Sequence, residues 1–198
     1  MSETRSYPRR VNTEAGQIEF DLMRRPDEAA VLAFAKALPA HDLLFLPRNI
    51  SQPKVLSAWI NEIERGDIVS LLARKGGAVV GCGTLVRDSH SWSPHVGEIR
   101  MVVSLDVRGK GVGRALSQET FALALSSGLE KLSVQMTVDQ RAAIALFESL
   151  GFKAEALLRD HVRDAGGQKH DIVVLGHNVA QVQAQLEAYG LPGAVTPS

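Results

Sequence analysis

Cysteine, charge imbalance and long apolar runs are all scarce in this chain of 198 residues. Cys82 is the single cysteine, so no disulfide can form within the chain, which suits a reducing compartment, and we expect a cytoplasmic protein. The 22 basic side chains equal the 22 acidic ones in number, which argues against nucleic-acid binding, because such proteins usually carry a basic excess. The first residues lack the apolar segment of a signal peptide, and no apolar run approaches membrane-spanning length. We therefore expect neither a membrane nor a nucleic-acid partner.

The two commonest nucleotide-binding loops are also missing from the sequence. A Walker loop requires G-x-x-x-x-G-K-[ST], which does not occur. A dinucleotide fingerprint requires G-x-G-x-x-G near the first strand of a βαβ unit. Here Gly109, Gly111 and Gly113 give G-x-G-x-G, almost a hundred residues into the chain. A different kind of anion-binding loop is indicated.

The most informative stretch, residues 96–128, predicts a strand, a glycine-rich turn and a helix. Ile99, Met101 and Val103 recur at the two-residue period of a strand. After the turn, apolar residues follow the 3.6-residue spacing of one helix face, at Val112, Ala115, Leu116, Ala122 and Leu123.

A helix that begins directly after such a turn is suited to bind a diphosphate. Its first N–H groups have no intrahelical partner, and the helix dipole adds partial positive charge there. Gly109, Gly111 and Gly113 carry no Cβ, so a phosphate can approach the backbone closely. The same loop carries three positively charged side chains, Arg108, Lys110 and Arg114.

Two segments together, EIRMVVSLDVRGKGVGRAL and RAAIALFESLGF, resemble the GNAT superfamily of acyl-CoA-dependent N-acetyltransferases. The first contains the pyrophosphate-loop pattern [RQ]-x-x-G-x-[GA]. The resemblance covers roughly residues 17–177, with specific motifs only in 98–152. The alternative is a structural glycine turn on a generic α/β domain.

The resemblance implies an α/β (α+β) fold with a mixed, mostly antiparallel sheet, splayed parallel central strands and helices on both faces. The predicted elements follow that order: strand, two helices, three strands, helix, strand, helix and two strands. We predict a single domain over residues 17–190, a flexible N-terminal arm over 1–16 and a tail over 191–198. A last helix is predicted from Val179 to Tyr189.

The resemblance also implies acetyl-CoA as co-substrate and no metal. The backbone of Met101, Val102 and Val103 would pair with the pantetheine arm, although these residues could equally be plain sheet core, and both roles are compatible. The diphosphate would lie on the turn and helix start, at Arg108, Gly109, Lys110, Gly111, Val112, Gly113 and Arg114. Gln140 and Phe147 complete the predicted coenzyme-binding set.

Acyl transfer to an amine requires a base, because an alkylammonium with a pKa near ~10 is not a nucleophile. Glu98 is the candidate, since it matches a glutamate that many family members place near the start of this strand. It also shares a strand face with Arg100, so a carboxylate that merely pairs with Arg100 is the alternative. The Val103 N–H is the oxyanion donor that the resemblance implies.

The sequence departs from the family pattern at the residue that would protonate the leaving thiolate. Many relatives carry a tyrosine in a pattern like N-x-x-A-x-x-x-Y-x-x-x-G-F. The matching positions here hold Gln140 for the asparagine and Phe147 for the tyrosine. Phenylalanine has no proton to give, so water, the departing substrate proton or another residue must serve.

The final two predicted strands form a hairpin around residues 164–167. If Ala165 and Gly166 are a two-residue turn, His161 and His170 face each other. A metal site would need a further ligand that the sequence does not identify, so we expect an exposed cross-strand pair.

The function predicted from the sequence is transfer of an acetyl group from acetyl-CoA to a primary amine of a small molecule, directly within a ternary complex. The alternatives are a non-catalytic acyl-CoA-binding module and an acetyltransferase for protein or peptide amines. A homodimer is expected because many relatives pair. The acceptor stays unnamed, because substrate-contacting loops vary freely on a shared scaffold.

Overall fold

The computed structural model describes residues 5–44, 46, 48–88 and 90–180. Within them lies an eight-stranded sheet in the order β1-β2-β3-β4-β5-β6-β8-β7. The strands are β1 (Arg9–Thr13), β2 (Gly16–Leu22), β3 (Ile68–Lys75), β4 (Ala78–Arg87), β5 (Val96–Val103), β6 (Lys131–Thr137), β7 (Lys153–Arg163) and β8 (Lys169–Asn178). The α-helices are α1 (Glu28–Ala37), α2 (Pro53–Arg65), α3 (Val112–Ser126) and α4 (Arg141–Ser149). None of the helices in the described ranges is long and apolar enough to span a membrane.

The central strands β5 and β6 are the only parallel pair of the described sheet, and they separate. Their pairing joins Val96 to Lys131 and ends at Ile99 and Val134, so the second half of β5 has no partner on that side. The other neighbouring strands pair antiparallel. The predicted mixed, mostly antiparallel sheet with splayed central strands is confirmed.

Helices cover both faces of the sheet, as the alternation of side chains along β3 demonstrates. Leu71 is fully buried in a cluster with Val112 and Leu116 of α3. Leu72, one residue further, is buried on the other face with residues of α1 and α2. The core is therefore two apolar layers with the sheet between them.

The prediction of a flexible arm over residues 1–16 is wrong for the part that forms β1, which pairs with β2 along its whole length. Charge explains why this segment is held. Glu119 of α3 is 3% exposed, and its carboxylate lies 2.8 Å from the Arg5 guanidinium and 3.5 Å from that of Arg9. The Tyr7 hydroxyl donates to the same carboxylate at 3.1 Å. Burial and the Glu119 charge raise the pKa of Tyr7 well above its ordinary value.

The β7–β8 hairpin also differs from its prediction, because Val162 rather than His161 lies opposite His170. Arg163 pairs with Lys169, so the turn spans residues 164–168 instead of the expected two residues, and the pairing shifts by one. The register is also irregular further along, between Leu158 and Val162, where Asp160 adopts a φ of 52°. His161 is exposed instead. The predicted helix from Val179 lies, beyond Ala180, outside the described residues, as does the tail over 191–198.

Candidate functional site

A groove of about 560 Å³ opens where β5 and β6 separate. The C-terminal half of β5, the loop before α3 and the N-terminal half of α4 form its walls. Nine of the predicted coenzyme-binding residues line this groove: Met101, Val102, Val103, Arg108, Gly109, Gly111, Gly113, Arg114 and Gln140.

The glycine-rich loop provides a cradle at the start of α3. Gly111 is the residue before the helix and has a φ of 81°, a left-handed conformation that favours glycine. The first backbone bond of the helix runs from the Ala115 N–H to the Gly111 carbonyl at 3.0 Å, so the N–H groups of residues 112–114 precede the helical ladder. A Cβ built on Gly109 would meet nothing within 4 Å, which leaves open space beside the loop. This is the arrangement that binds phosphate groups.

Three predicted residues do not line the groove. Lys110 instead donates from Nζ to the Asp106 carbonyl at 2.6 Å. Val112 is fully buried, so it can contribute only its backbone N–H. Phe147 is 3% exposed and packs edge-on against Phe152 with ring centroids 5.2 Å apart, so it belongs to the core and not to the coenzyme site.

Arg108 is held by two acceptors at the edge of the groove. Its guanidinium donates to the Val103 carbonyl at 2.9 and 3.1 Å and to Asp42 Oδ2 at 2.5 Å. Asp42 comes from the short 3-10 turn Ala40–Leu43 that follows α1, and its side chain is 14% exposed. The turn after α1 is thereby tied to the glycine-rich loop.

Gln140 lines the groove, and its side-chain amide has an unused donor. Its side-chain Nε2 is buried and has no hydrogen-bond partner among the described residues. A buried amide N–H without an acceptor is costly, and an amide carbonyl of a bound ligand would satisfy it. Pantetheine contains such carbonyls, so this residue and the glycine cradle both fit coenzyme A.

Glu98 forms an ion pair with Arg100. The guanidinium donates to both carboxylate oxygens, at 2.8 and 3.0 Å, and the two side chains are 25% and 23% exposed. Within the described chain, Glu98 is not one of the residues that line the groove. The pairing that the sequence offered as the alternative is therefore present.

Sequence reasoning missed several groove residues, of which Asp42, Asp139 and Arg141 are charged. Asp139 and Arg141 flank Gln140, so their position beside a predicted residue was an available signal. No local pattern marks Asp42, which reaches the groove only through tertiary packing.

A second cavity, of about 890 Å³, lies beside the groove between α1, the segment after it and the β7–β8 turn. His41 lines this cavity, and its Nε2 lies 2.7 Å from Oδ2 of Asp139 in the groove wall. Burial raises the pKa of Asp139, but contacts with the Thr137 hydroxyl and with His41 outweigh it, so the pKa lies below its ordinary value.

Two further observations concern metal binding and the reactivity of Cys82. Among the residues that the structure describes, no group of three or more His, Cys, Asp or Glu side chains is arranged to hold a metal ion. Cys82 is buried, and desolvation raises the pKa of its thiol to about 12. A neutral, buried thiol is a poor nucleophile.

Comparisons with known proteins agree with this fold. The sequence model of the Acetyltransferase (GNAT) family matches residues 38–152, which include β5, the glycine loop and α4. An IAA acetyltransferase of Azospirillum brasilense is 35% identical over 94 residues, which are 47% of this chain and 60% of that protein. The match thus spans less than two thirds of that relative's length.

Solved structures share the fold at low sequence identity. A GNAT-family acetyltransferase from Streptococcus pneumoniae superposes with a TM-score of 0.71 and 20% identity, over 81% of this chain and 99% of that one. The Salmonella typhimurium protein yncA, solved with its cofactor acetyl-CoA, gives 0.69 and 19%, over 82% and 94%. The chain belongs to the GNAT acetyltransferase family.

Proposed function

We propose that the protein is an N-acetyltransferase that transfers an acetyl group from acetyl-CoA to a primary amine of a small molecule, directly within a ternary complex. The observation that carries the proposal is the groove between the splayed strands, which the glycine cradle at the start of α3 and Gln140 line together. Cytoplasmic location and homodimer formation stay predictions from the sequence.

The residues of the groove would hold the coenzyme by its two recognisable parts. The backbone of residues 101–103 lies beyond the last β6 partner and would pair with the pantetheine amides as a strand would, apart from the Val103 carbonyl, which accepts from Arg108. The N–H groups at the start of α3, with Arg108 and Arg114, would take the diphosphate. Bound acetyl-CoA supplies the activated acetyl thioester.

Glu98 is our candidate for the base that removes the first proton from the acceptor ammonium. Because Arg100 occupies both carboxylate oxygens, Glu98 would act through a water held at a remaining lone pair. The Val103 N–H, at the end of β5, would donate to the oxyanion. Direct transfer is supported by Cys82, since a buried thiol with a raised pKa is unsuited to carry the acetyl group.

The cavity beside the groove supports a small-molecule acceptor. Its volume of about 890 Å³ falls within the usual range of about 300–1,000 Å³ for small-molecule sites. It shares a wall with the coenzyme groove through the Asp139–His41 contact. An acceptor bound there would lie next to the thioester.

Release of the coenzyme A thiol tests the proposal. The chain is incubated with acetyl-CoA and, in turn, with polyamines, amino acids, aminoglycosides and lysine peptides. We expect release above hydrolysis with at least one small amine, and acetylated product by mass spectrometry. Tight acetyl-CoA binding without release would favour the non-catalytic module, and release only with peptides would favour the protein acetyltransferase.

A further inference from the structure

Two histidines and two aspartates form a row along the wall between the groove and the neighbouring cavity. His41 is hydrogen-bonded to Asp139 at 2.7 Å, and its ring meets that of His170 edge-on at 5.3 Å between centroids. His170 Nε2 lies in turn 2.9 Å from Asp164 Oδ2. Acyl transfer needs the acceptor nitrogen and the thioester carbon in contact, so a coenzyme in the groove and an acceptor in the cavity, as proposed above, would react at the boundary where this row stands.

The proposed reaction leaves one proton without an assigned carrier. After the base has taken the first proton, the attacking nitrogen still holds one that it must lose as the amide forms, and the departing thiolate gains one. The residue that matches the family's tyrosine is Phe147, which has no proton and is 3% exposed in the core. A side chain that carries this proton therefore has to be another group at the boundary.

We propose that His41 carries this second proton, an inference that rests on the proposed acetyltransferase function. With Nε2–H donated to Asp139, Nδ1 is left as the acceptor. As the N–C bond forms, the nitrogen's proton passes to Nδ1. As the C–S bond breaks, the same proton passes to sulfur, the electron pair of that bond stays on sulfur, and the imidazole is neutral again. No further reactant is needed.

Asp139 acts as a positioning residue in this scheme. Its carboxylate fixes the tautomer and orientation of the imidazole and stabilises the transient imidazolium. His41 is suited to its own role by its exposure, because 39% of its side chain is accessible from the cavity side.

Other charged residues line the cavity or the groove beside His41, or contact its ring, and they bear on any pH profile. They come from α1, the turn after it, β7, the β7–β8 turn, β8 and the start of α4, and are Lys36, Asp42, Arg163, Asp164, His170 and Arg141. Because a second histidine stands in the same row, a pH effect is assigned to His41 by comparing variants rather than from the wild type alone.

The test measures kcat and KM against pH for His41→Gln with the best amine from the thiol-release panel. We expect kcat to fall by about 100-fold or more, the usual worth of a positioned acid–base group, with acetyl-CoA affinity within about twofold of wild type. The acidic limb of the kcat profile should disappear. His161→Gln is the matched control and should behave as wild type, because it removes an exposed histidine of the β7–β8 hairpin.

Asp139→Asn provides the second variant, because it keeps His41 and removes only the charge of its partner. We expect a smaller fall in kcat and an acidic limb that persists with a displaced midpoint. A merely structural role would lower turnover equally at every pH.

Three results would overturn the inference. The first is a kcat of His41→Gln within about twofold of wild type. The second is a fall in the kcat of His41→Gln that is the same at every pH and comes with a raised KM for the acceptor. In both of these cases the wild type still turns over, so the acetyltransferase proposal is unaffected. The third, no turnover by the wild type with any amine of the panel, removes the function and this inference together.

Discussion

Asp42 and Arg108 are joined by an ion pair of 2.5 Å that links the turn after α1 to the glycine-rich loop. Both residues line the coenzyme groove. A bound diphosphate and the Asp42 carboxylate would therefore compete for one guanidinium, and the two anions would repel each other.

Removing the Asp42 charge should strengthen coenzyme binding. For Asp42→Asn we expect acetyl-CoA affinity to rise about two- to fivefold, since an ion pair this accessible is worth about 0.2–1 kcal/mol. Calorimetric titration measures the change. Pantetheine, which lacks the diphosphate, should bind equally to both proteins, and Asp106→Asn, which removes a carboxylate outside the groove lining, should leave affinity unchanged. Weaker binding by Asp42→Asn would mean that Asp42 positions Arg108 for the phosphate.

The glycine cradle predicts a specific loss on substitution of Gly111. Gly111→Asp should abolish the rise in melting temperature that acetyl-CoA causes, because it adds a Cβ and a negative charge beside the diphosphate. Its φ of 81° also disfavours a side chain, so a matched control is needed. Gly66→Asp introduces the same side chain at a φ of 85° after α2, at the end of the sheet where β5 begins, and it should keep the full ligand-induced shift. A retained shift in Gly111→Asp would refute the assignment of the loop.

If Glu98 is the base, Glu98→Gln should slow the chemical step by about 10²- to 10⁴-fold and leave acetyl-CoA affinity nearly unchanged. The loss should shrink as the pH rises, because more of the acceptor amine is already deprotonated. Single-turnover rates against pH provide the measurement.

Asp27→Asn serves as the control for Glu98→Gln, because Asp27 pairs with Arg74 at 2.6 Å at a similar burial but away from the groove. It should lose stability and keep its turnover. If Glu98→Gln does the same, Glu98 is only the charge partner of Arg100.

The groove and the sheet could be predicted because their signals are local in sequence. Alternation along β5 and the glycine spacing that follows are set by neighbouring residues. β1 was missed because its anchor, the Tyr7–Glu119 contact, joins residues 112 positions apart. The predicted pairing of His161 with His170 is wrong because the β7–β8 turn spans residues 164–168 rather than two residues, and sequence alone does not fix that turn length. Asp42 reaches the groove only when α1 packs on the sheet.

The burial of His177 should make the fold less stable at mildly acidic pH. It is 6% exposed, and desolvation lowers its pKa below the ordinary value of 6.5. As the pH falls through that value, His177 becomes protonated in the unfolded chain but stays neutral in the folded chain. Folding stability therefore decreases. We expect the free energy of unfolding in urea to fall between about pH 7.5 and about pH 5.5. His177→Gln should flatten this dependence, whereas the exposed-site variant His161→Gln should keep the wild-type slope.

The contacts of Arg5, Tyr7 and Arg9 with Glu119 limit how far this protein can be shortened and still work. The family match begins at residue 38, but even a chain shortened only to the start of β2 would lose the guanidinium groups of Arg5 and Arg9 together with Tyr7. Glu119 would then sit in α3 as an uncompensated buried charge, a defect that costs about 3–5 kcal/mol. That helix begins at the glycine cradle. A minimal catalytic unit therefore has to include residues 5–9 together with β2 and α1, whose buried side chains complete the two core layers.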